Sequence, residues 1–451
     1  MGNENPNRRS IKPYPLPPTP YPLPFTPGPL PPAPCSPPLG LYIHIPFCLS
    51  KCPYCGFYSL GKSDLIDAFV EALLEEVRLV SVQTLGRPPG ERDKNPPLPA
   101  GERSEFSPEI PLPSGERGRI RGKEGVLLFF DTVYLGGGTP SVLPLNQTTK
   151  ILNQIHKYLS LKECNEITFE INPGDGNLGY FQGLSDSGIN RLNLGVQSFD
   201  DGILKFLGRR HTADQARRSI DLARKSGFRN LGLDLIYGIP GQSIDSWLKT
   251  LKTALTYSPE HLSCYELTLE ENTPFAMEVQ KGIFTLPKEE NQREFFLRTS
   301  EFLEDKGYFH YEVSNFARGE KFFSRHNQKY WDHTPYLGLG PSAHSFNGVR
   351  RWWNHRSAEK YIAALAGGHP PVDSFEDLTM EQRMLERVYF GMRTRKGIDL
   401  KEFRREFKVD LESEKAKILS LLKEEGLILV QKGVLSPTRT GLAVADRLAL
   451  I

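Results

Sequence analysis

Leu41-Tyr42-Ile43-His44-Ile45-Pro46-Phe47-Cys48-Leu49-Ser50-Lys51-Cys52-Pro53-Tyr54-Cys55 runs a short apolar, β-branched segment into three cysteines packed within eight residues. The first part reads as a strand, and the C-x3-C-x2-C spacing after it belongs on a loop. Three thiolates so close in sequence converge within a few ångströms and ask for a metal. A structural zinc site takes four protein ligands, so His44 or a remote residue would have to complete it. A cubane iron–sulfur cluster bound by three cysteines instead keeps one iron free. Cys35, Cys164 and Cys264 stand alone and read as buried or incidental thiols.

Beyond the cysteines, strand-like runs alternate with helical patterns. Leu41–Ile45, Thr132–Leu135, Ile167–Ile171, Arg191–Leu194, Leu231–Ile236 and His261–Leu267 are six candidate strands. Asp64–Leu79, Asn146–Leu159, Ala213–Ser226 and Ile244–Thr256 place apolar residues at i, i+3, i+4 and i+7, as amphipathic helices do. Strand–helix alternation predicts an α/β fold with parallel strands and right-handed crossovers. Such units close as a full or partial barrel or lie open as a doubly wound sheet, and periodicity does not choose between these.

Two segments break the pattern. Residues 1–40 are dominated by proline and bury too little apolar surface to offset ordering, so a disordered tail is expected. Similar composition returns from Arg87 to Lys123, where Leu98-Pro99-Ala100-Gly101-Glu102-Arg103 is nearly repeated at Leu112-Pro113-Ser114-Gly115-Glu116-Arg117. We take 84–125 as a low-complexity insertion in a surface loop, which costs little closure entropy. The 451 residues suit one large domain and a smaller one, and the net charge of +2 gives no support for binding nucleic acid or anionic membranes. The longest apolar run, Gly125 to Tyr134, is about half a bilayer span, and the first forty residues lack a signal core. A cytoplasmic protein with a small-molecule or protein ligand is expected.

The strands also share a habit of ending in polar or glycine residues. The second leads into Gly136-Gly137-Gly138-Thr139-Pro140, where missing Cβ atoms let a ligand approach the backbone. The third ends with Glu170 and Asn172, the fourth is followed by Gln197, the fifth carries Asp234, and the sixth ends near Tyr265. In a parallel barrel these ends surround one mouth, where such folds build active sites.

With these residues the chain resembles the radical S-adenosylmethionine (SAM) proteins and, among them, the oxygen-independent coproporphyrinogen oxidase group, from Leu41 to the C-terminus. The resemblance implies a partial (β/α)6 barrel and a [4Fe-4S] cluster on Cys48, Cys52 and Cys55. SAM would chelate the open iron, and the reduced cluster would cleave it to a deoxyadenosyl radical. It also implies that Tyr42 and Tyr54 pack beside cluster and SAM, and that Gly137, Gly138 and Thr139 hold the SAM amino end. Glu170 matches a SAM-contacting acid, and Gln197, Arg209 and Asp234 match positions that bind a second SAM in the oxidase. The electron donor implied is a flavodoxin-like or ferredoxin-like protein.

The oxidase has a fourth cysteine where this chain has Phe57. A branch of the same family composed of haem chaperones lacks that cysteine and carries H-N-x-x-Y-W, matched here by His326-Asn327-Gln328-Lys329-Tyr330-Trp331. An imidazole is able to ligate haem iron, and Tyr330 and Trp331 offer flat apolar area for a porphyrin. Tyr336-Leu337-Gly338-Leu339-Gly340-Pro341-Ser342-Ala343-His344 also matches the family, with His344 a second candidate for haem or SAM contact.

The resemblance divides the chain into a barrel core at 41–270, an extension carrying the haem motif at 271–374, and a small winged-helix-like domain at 375–451. In the last, Thr379–Arg393, Leu400–Phe407 and Leu411–Glu425 read as helices and Ile428–Val430 with Gly433–Leu435 as a hairpin. No helix there is densely basic along one face, so Arg393, Arg395, Lys396 and Lys401 are taken as a solvated rim or docking surface rather than a DNA contact. Three functions follow: a haem chaperone that delivers haem to an apoprotein, a coproporphyrinogen III oxidase, or a radical enzyme with another substrate. Phe57 and the H-N-x-x-Y-W motif favour the first. Peripheral membrane association stays open.

Overall fold

All six expected strands form, because each alternates residues that want opposite surroundings. The computed structural model describes residues 38–61, 63–85, 121–122, 125–126, 129–161 and 164–448. The first eight strands are β1 Leu39–Ile45, β2 Arg121–Gly122, β3 Gly125–Val126, β4 Phe130–Gly137, β5 Glu166–Ile171, β6 Arg191–Gln197, β7 Leu231–Tyr237 and β8 His261–Glu266. Six follow: β9 Phe309–Glu312, β10 Asn315–Ala317, β11 Tyr336–Leu339, β12 His344–Phe346, β13 Arg350–Asn354 and β14 Val372–Asp377. Twelve of these make one sheet in the order β14-β13-β12-β11-β1-β4-β5-β6-β7-β8-β10-β9, while β2 and β3 pair only with each other.

The run from β11 through β1, β4, β5, β6 and β7 to β8 is parallel throughout. Antiparallel strands extend it on both sides, and β14 and β9 end it as edges, so the sheet stays an open, partial barrel. One parallel strand, β11, lies beyond the six expected.

One face of the parallel run is apolar. Leu41, Ile43, Val133, Leu135, Phe169, Leu192, Leu194, Leu233 and Leu262 are buried there with Phe69, Leu73, Ile151, Ile155, Ile220 and Trp247 from the crossover helices. Each such side chain is worth roughly 1.5–3 kcal/mol when taken out of water. The other face is polar, as the register shows: Gly40 pairs with Thr132, Thr132 with Glu166, Thr168 with Arg191, Glu170 with Asn193, Asn193 with Gly232, and Asp234 with Ser263. A parallel sheet covered on both faces normally reads as continuous hydrophobic runs. Here the alternation marks the face that lines a cavity.

Several expected boundaries move. β1 begins at Leu39, so residues 39–40 belong to the sheet and not to the tail; residues 1–37 lie outside the described residues. The helix Ile66–Leu85 takes in two residues assigned to the insertion, and β2 and β3 form inside its far end, while 86–120 lie outside the described residues. The helix expected at 411–425 is two, Leu411–Glu414 and Ala416–Glu424.

The C-terminal residues carry a separate apolar cluster. Helices Met380–Gly391, Leu400–Phe407 and Ala416–Glu424 pack with β15 Ile398–Asp399, β16 Ile428–Gln431 and β17 Val434–Pro437 around Met392, Ile398, Phe403, Ile428 and Leu435. Arg393 is no solvated rim residue. It is buried, stacks over Tyr389 at 3.5 Å and pairs with Asp446. Arg395 and Lys396 pair outward with Glu304 and Asp332. Among the described residues no helix is long and apolar enough to cross a membrane.

Candidate functional site

The cysteine loop is fixed at its base. Cys48 N–H donates to Leu60 O at 3.0 Å and Leu60 N–H to Pro46 O at 2.7 Å, extending β1 past Ile45 as a short parallel bridge. The loop tip is held from the other side: Phe275 N–H donates to Pro53 O at 3.1 Å, and Tyr54 joins an apolar cluster with Phe275 and Leu267. Cys48, Cys52 and Cys55 are free, partly buried thiols. Cys48 Sγ lies 3.3 Å from Thr139 Oγ1, and Arg209 Nη1 donates to Cys52 Sγ at 3.3 Å. Among the described residues no three His, Cys, Asp or Glu side chains gather as a ligand set for a single metal ion. A cubane makes a different demand, one thiolate on each of three irons. The three free thiols on one anchored loop fit that demand.

The glycine turn after β4 owes much of its composition to crowding. Gly138 N–H donates to Ile45 O at 2.8 Å, and a Cβ there would stand 2.6 Å from Phe47 O. Gly137 has φ +107°, and its Cβ would meet His44 Nδ1 at 2.7 Å. His44 Nε2–H donates to Tyr58 O at 3.0 Å, so Nδ1 accepts from Tyr42 OH at 3.1 Å. Burial holds that imidazole neutral, its pKa down to about 4.

Beside the loop opens a cavity of about 940 Å³, near the upper end of ligand-pocket sizes. Tyr54, Cys55, Phe57, Gly137, Gly138, Thr139, Glu170, Asn172, Gln197, Arg209, Asp234 and Tyr265 all line it. Glu170 accepts from Tyr134 OH at 2.7 Å, and burial pushes its carboxyl up to about 7. Asp234 accepts from Asn193 Nδ2 at 2.6 Å, is raised by burial, and keeps Oδ1 buried without a partner. Gln197 enters the cavity through an irregularity in β6, where its φ is +63°. Unpaired buried polar atoms on a cavity wall are what a polar ligand would satisfy.

A smaller pocket of about 260 Å³ adjoins this one. Tyr42, Tyr134, His326, Asn327 and Tyr330 line it together with Phe57, Gly137 and Glu170, which are shared with the large cavity. Phe57 stands 68% exposed at this junction. The H-N-x-x-Y-W segment is a short helix, Arg325–Trp331, capped by Ser324. The buried Glu166 carboxylate accepts both Arg325 N–H and His326 N–H at 3.1 Å.

His326 is fully engaged: Nδ1 lies 3.0 Å from Thr132 Oγ1 and Nε2 2.9 Å from Tyr330 OH. Burial lowers its pKa to about 3. Trp331 does not share the pocket and packs edge-on against Phe390. His344 is exposed, its ring 5.6 Å from Trp353.

Sequence reasoning missed Glu76, a buried carboxylate on Ile66–Leu85. It accepts from Gly340 N–H at 2.8 Å, Asn354 Nδ2 at 2.6 Å and Tyr361 OH at 2.6 Å, joining the first helix to the β11 turn, β13 and the helix Ala358–Ala366. Its signal was a glutamate on the apolar side of a helix.

Comparison with known proteins matches this architecture. Residues 123–254 match the radical SAM superfamily and 378–444 the HemN C-terminal domain. The solved coproporphyrinogen III oxidase HemN of Escherichia coli superposes with a TM-score of 0.71 over 92% of this chain and 90% of that one, at 22% identity. That likeness shows the fold, which is of the radical SAM class. The heme chaperone HemW of Lactococcus lactis is 32% identical over 83% of this chain and 86% of its own length. HemW of Bacillus subtilis is 31% identical over 86% and 92% respectively. The chain belongs to the HemW family of radical SAM proteins.

Proposed function

We propose that this protein is a haem chaperone: it holds a [4Fe-4S] cluster and SAM, binds haem and passes it to an apoprotein in the cytoplasm. The observation that carries the reading is the shared wall of the two pockets, where Phe57 stands beside a small pocket lined by His326, Asn327 and Tyr330. In this reading Cys48, Cys52 and Cys55 hold the cluster and Tyr54 covers it. Gly137, Gly138 and Thr139 meet the SAM amino end, and a ligand ammonium beside Glu170 keeps that carboxyl ionised. A cluster held by these thiolates, with SAM beside it, would supply one-electron chemistry, for which a flavodoxin-like or ferredoxin-like donor would serve. Tyr42, Asn327 and Tyr330 face haem from the small pocket, whereas iron ligation by His326 requires a ring nitrogen to leave Thr132 or Tyr330. Trp331 and His344 have no part at the shared wall. The barrel core, the extension at 271–374 and the small domain from 375 act as the three working parts.

Gln197, Arg209 and Asp234 lie together in the cavity and favour a second reading, decarboxylation of coproporphyrinogen III. One experiment separates the two. Anaerobically reconstituted protein, with about four irons and four sulfides per chain, is given haem and, separately, coproporphyrinogen III with SAM and reductant. The chaperone reading expects a Soret band and no protoporphyrinogen. Decarboxylation, with haem affinity no better than a nonspecific control, restores the oxidase. Comparing His326→Ala with Tyr330→Phe locates the iron contact: if His326 ligates, only the first loses the band.

A further inference from the structure

Arg209 is a cation in direct contact with a cysteine of the loop. It follows the helix Asp201–Phe206 and reaches back beneath the β5 and β6 ends. Nη2 is fixed by two acceptors, Asn172 Oδ1 at 2.6 Å and Gly195 O at 3.0 Å. The planar guanidinium so clamped aims Nη1 at Cys52 Sγ, 3.3 Å away. Nε is buried with no partner while the side chain lines the large cavity. Three of the five donors are thus spent on chain atoms, one of them a sulfur, which is an unusual way to treat a residue whose only task is to grip a second ligand.

We infer that Arg209 is a positioning residue for the cluster, holding a charge-assisted hydrogen bond on the Cys52 sulfur and so raising the cluster's reduction potential. The inference rests on the cluster assignment above, with the Cys52 thiol standing in for the iron-bound thiolate. Reduction adds negative charge to cluster and sulfurs, and a cation donating to one sulfur stabilises the reduced form more than the oxidised one. Groups outside the ligand set that bond to ligand atoms tune metal sites in this way. Asn172 and Gly195 fix the guanidinium in plane, and lysine, a point charge on a flexible stem, would not reproduce that geometry.

The test is a redox titration of the reconstituted full chain, followed by EPR, without SAM or haem. Arg209→Gln should shift the midpoint to more negative potential with iron and sulfide content unchanged, and Arg209→Lys should recover part of the shift. An unchanged midpoint in a fully loaded Arg209→Gln overturns the inference. If that variant holds no cluster, Arg209→Lys decides on the same criterion. Loss of the cluster in both, with the fold intact by circular dichroism, also overturns it, because a group acting on sulfur basicity is not required for assembly. Failure of the wild-type chain to load a cluster would sink the cluster assignment instead, so the two failures are distinct.

Discussion

Glu76 shows how much one buried carboxylate organises. It receives donors from three separate segments and is buried, 2% exposed. Glu76→Ala leaves those donors unpaired and should cost about 3 kcal/mol or more. Burial raises its pKa from 4.5 to about 7, against the effect of its three donors. A carboxyl raised on folding contributes stability fully below pH 4.5 and loses it as pH rises through about 7. Buried His44 and His326, near 4 and 3, act oppositely and lose stability as pH falls below 6.5. The whole-protein profile therefore mixes signs, and the difference between wild type and Glu76→Gln isolates the carboxyl. That difference should move toward the variant by roughly 2–3 kcal/mol between pH 5 and 8, read by urea denaturation at each pH. A flat difference would show that Glu76 does not titrate in this range.

The β1–β4 pair is the element that brings cysteines and glycine turn together, through a register in which Ile45 faces Gly137. Gly138→Ala drives a Cβ against backbone oxygens of Phe47 and Ile45, which cannot swing away as a side-chain end can. We expect a loss of about 2 kcal/mol together with lower cluster content, whereas Gly61→Ala, in open space and like Gly138 without a positive φ, controls for the loss of a glycine alone. Full iron loading in Gly138→Ala would show that the close approach does not set the loop.

At this scale most of the parallel sheet was legible, because Leu41, Ile43 and Ile45 or Leu231, Leu233 and Leu235 repeat at period two. β11 was not, since Tyr336–Leu339 reads as a glycine turn. Nor was β14, whose Val372–Asp377 is exposed along nearly its whole length and so has no apolar alternation to announce it. Glu170, Asn172 and Gln197 were legible because they end strands and Asp234 because it interrupts an apolar run, whereas Arg209, beyond the helix Asp201–Phe206, came only with the resemblance. The locked state of His326 was not, because its partners Thr132 and Tyr330 are 194 and 4 residues away, and no pattern marks a histidine as already satisfied.

Across the molecule, the C-terminal cluster meets the barrel in two ways of unequal strength. Backbone bonds from Val313 N–H to Arg393 O at 2.9 Å and from Arg395 N–H to Tyr311 O at 3.0 Å tie the start of the small unit to β9. Its last helices, Arg439–Leu442 and Ala445–Leu448, bury Leu442 and Leu448 and reach β9's side of the molecule through side-chain ion pairs: Arg439 with Glu304 and Glu301, and Arg447 with Glu289 at 2.5 Å. Leu442 to Arg447 nevertheless form part of the wall of the large cavity. Ion pairs this exposed are worth about 0–1 kcal/mol each and weaken with salt, so the wall should open without unfolding the rest. The double variant Arg439→Ala, Arg447→Ala is expected to melt within about 2 °C of wild type yet bind SAM some threefold to tenfold more weakly, a gap that closes as salt is raised because wild type loses the same pairs. A thermal melt gives the first, and calorimetric titration at low and high salt the second. Equal affinity in the two proteins at low salt would mean that the C-terminal wall stands without these pairs.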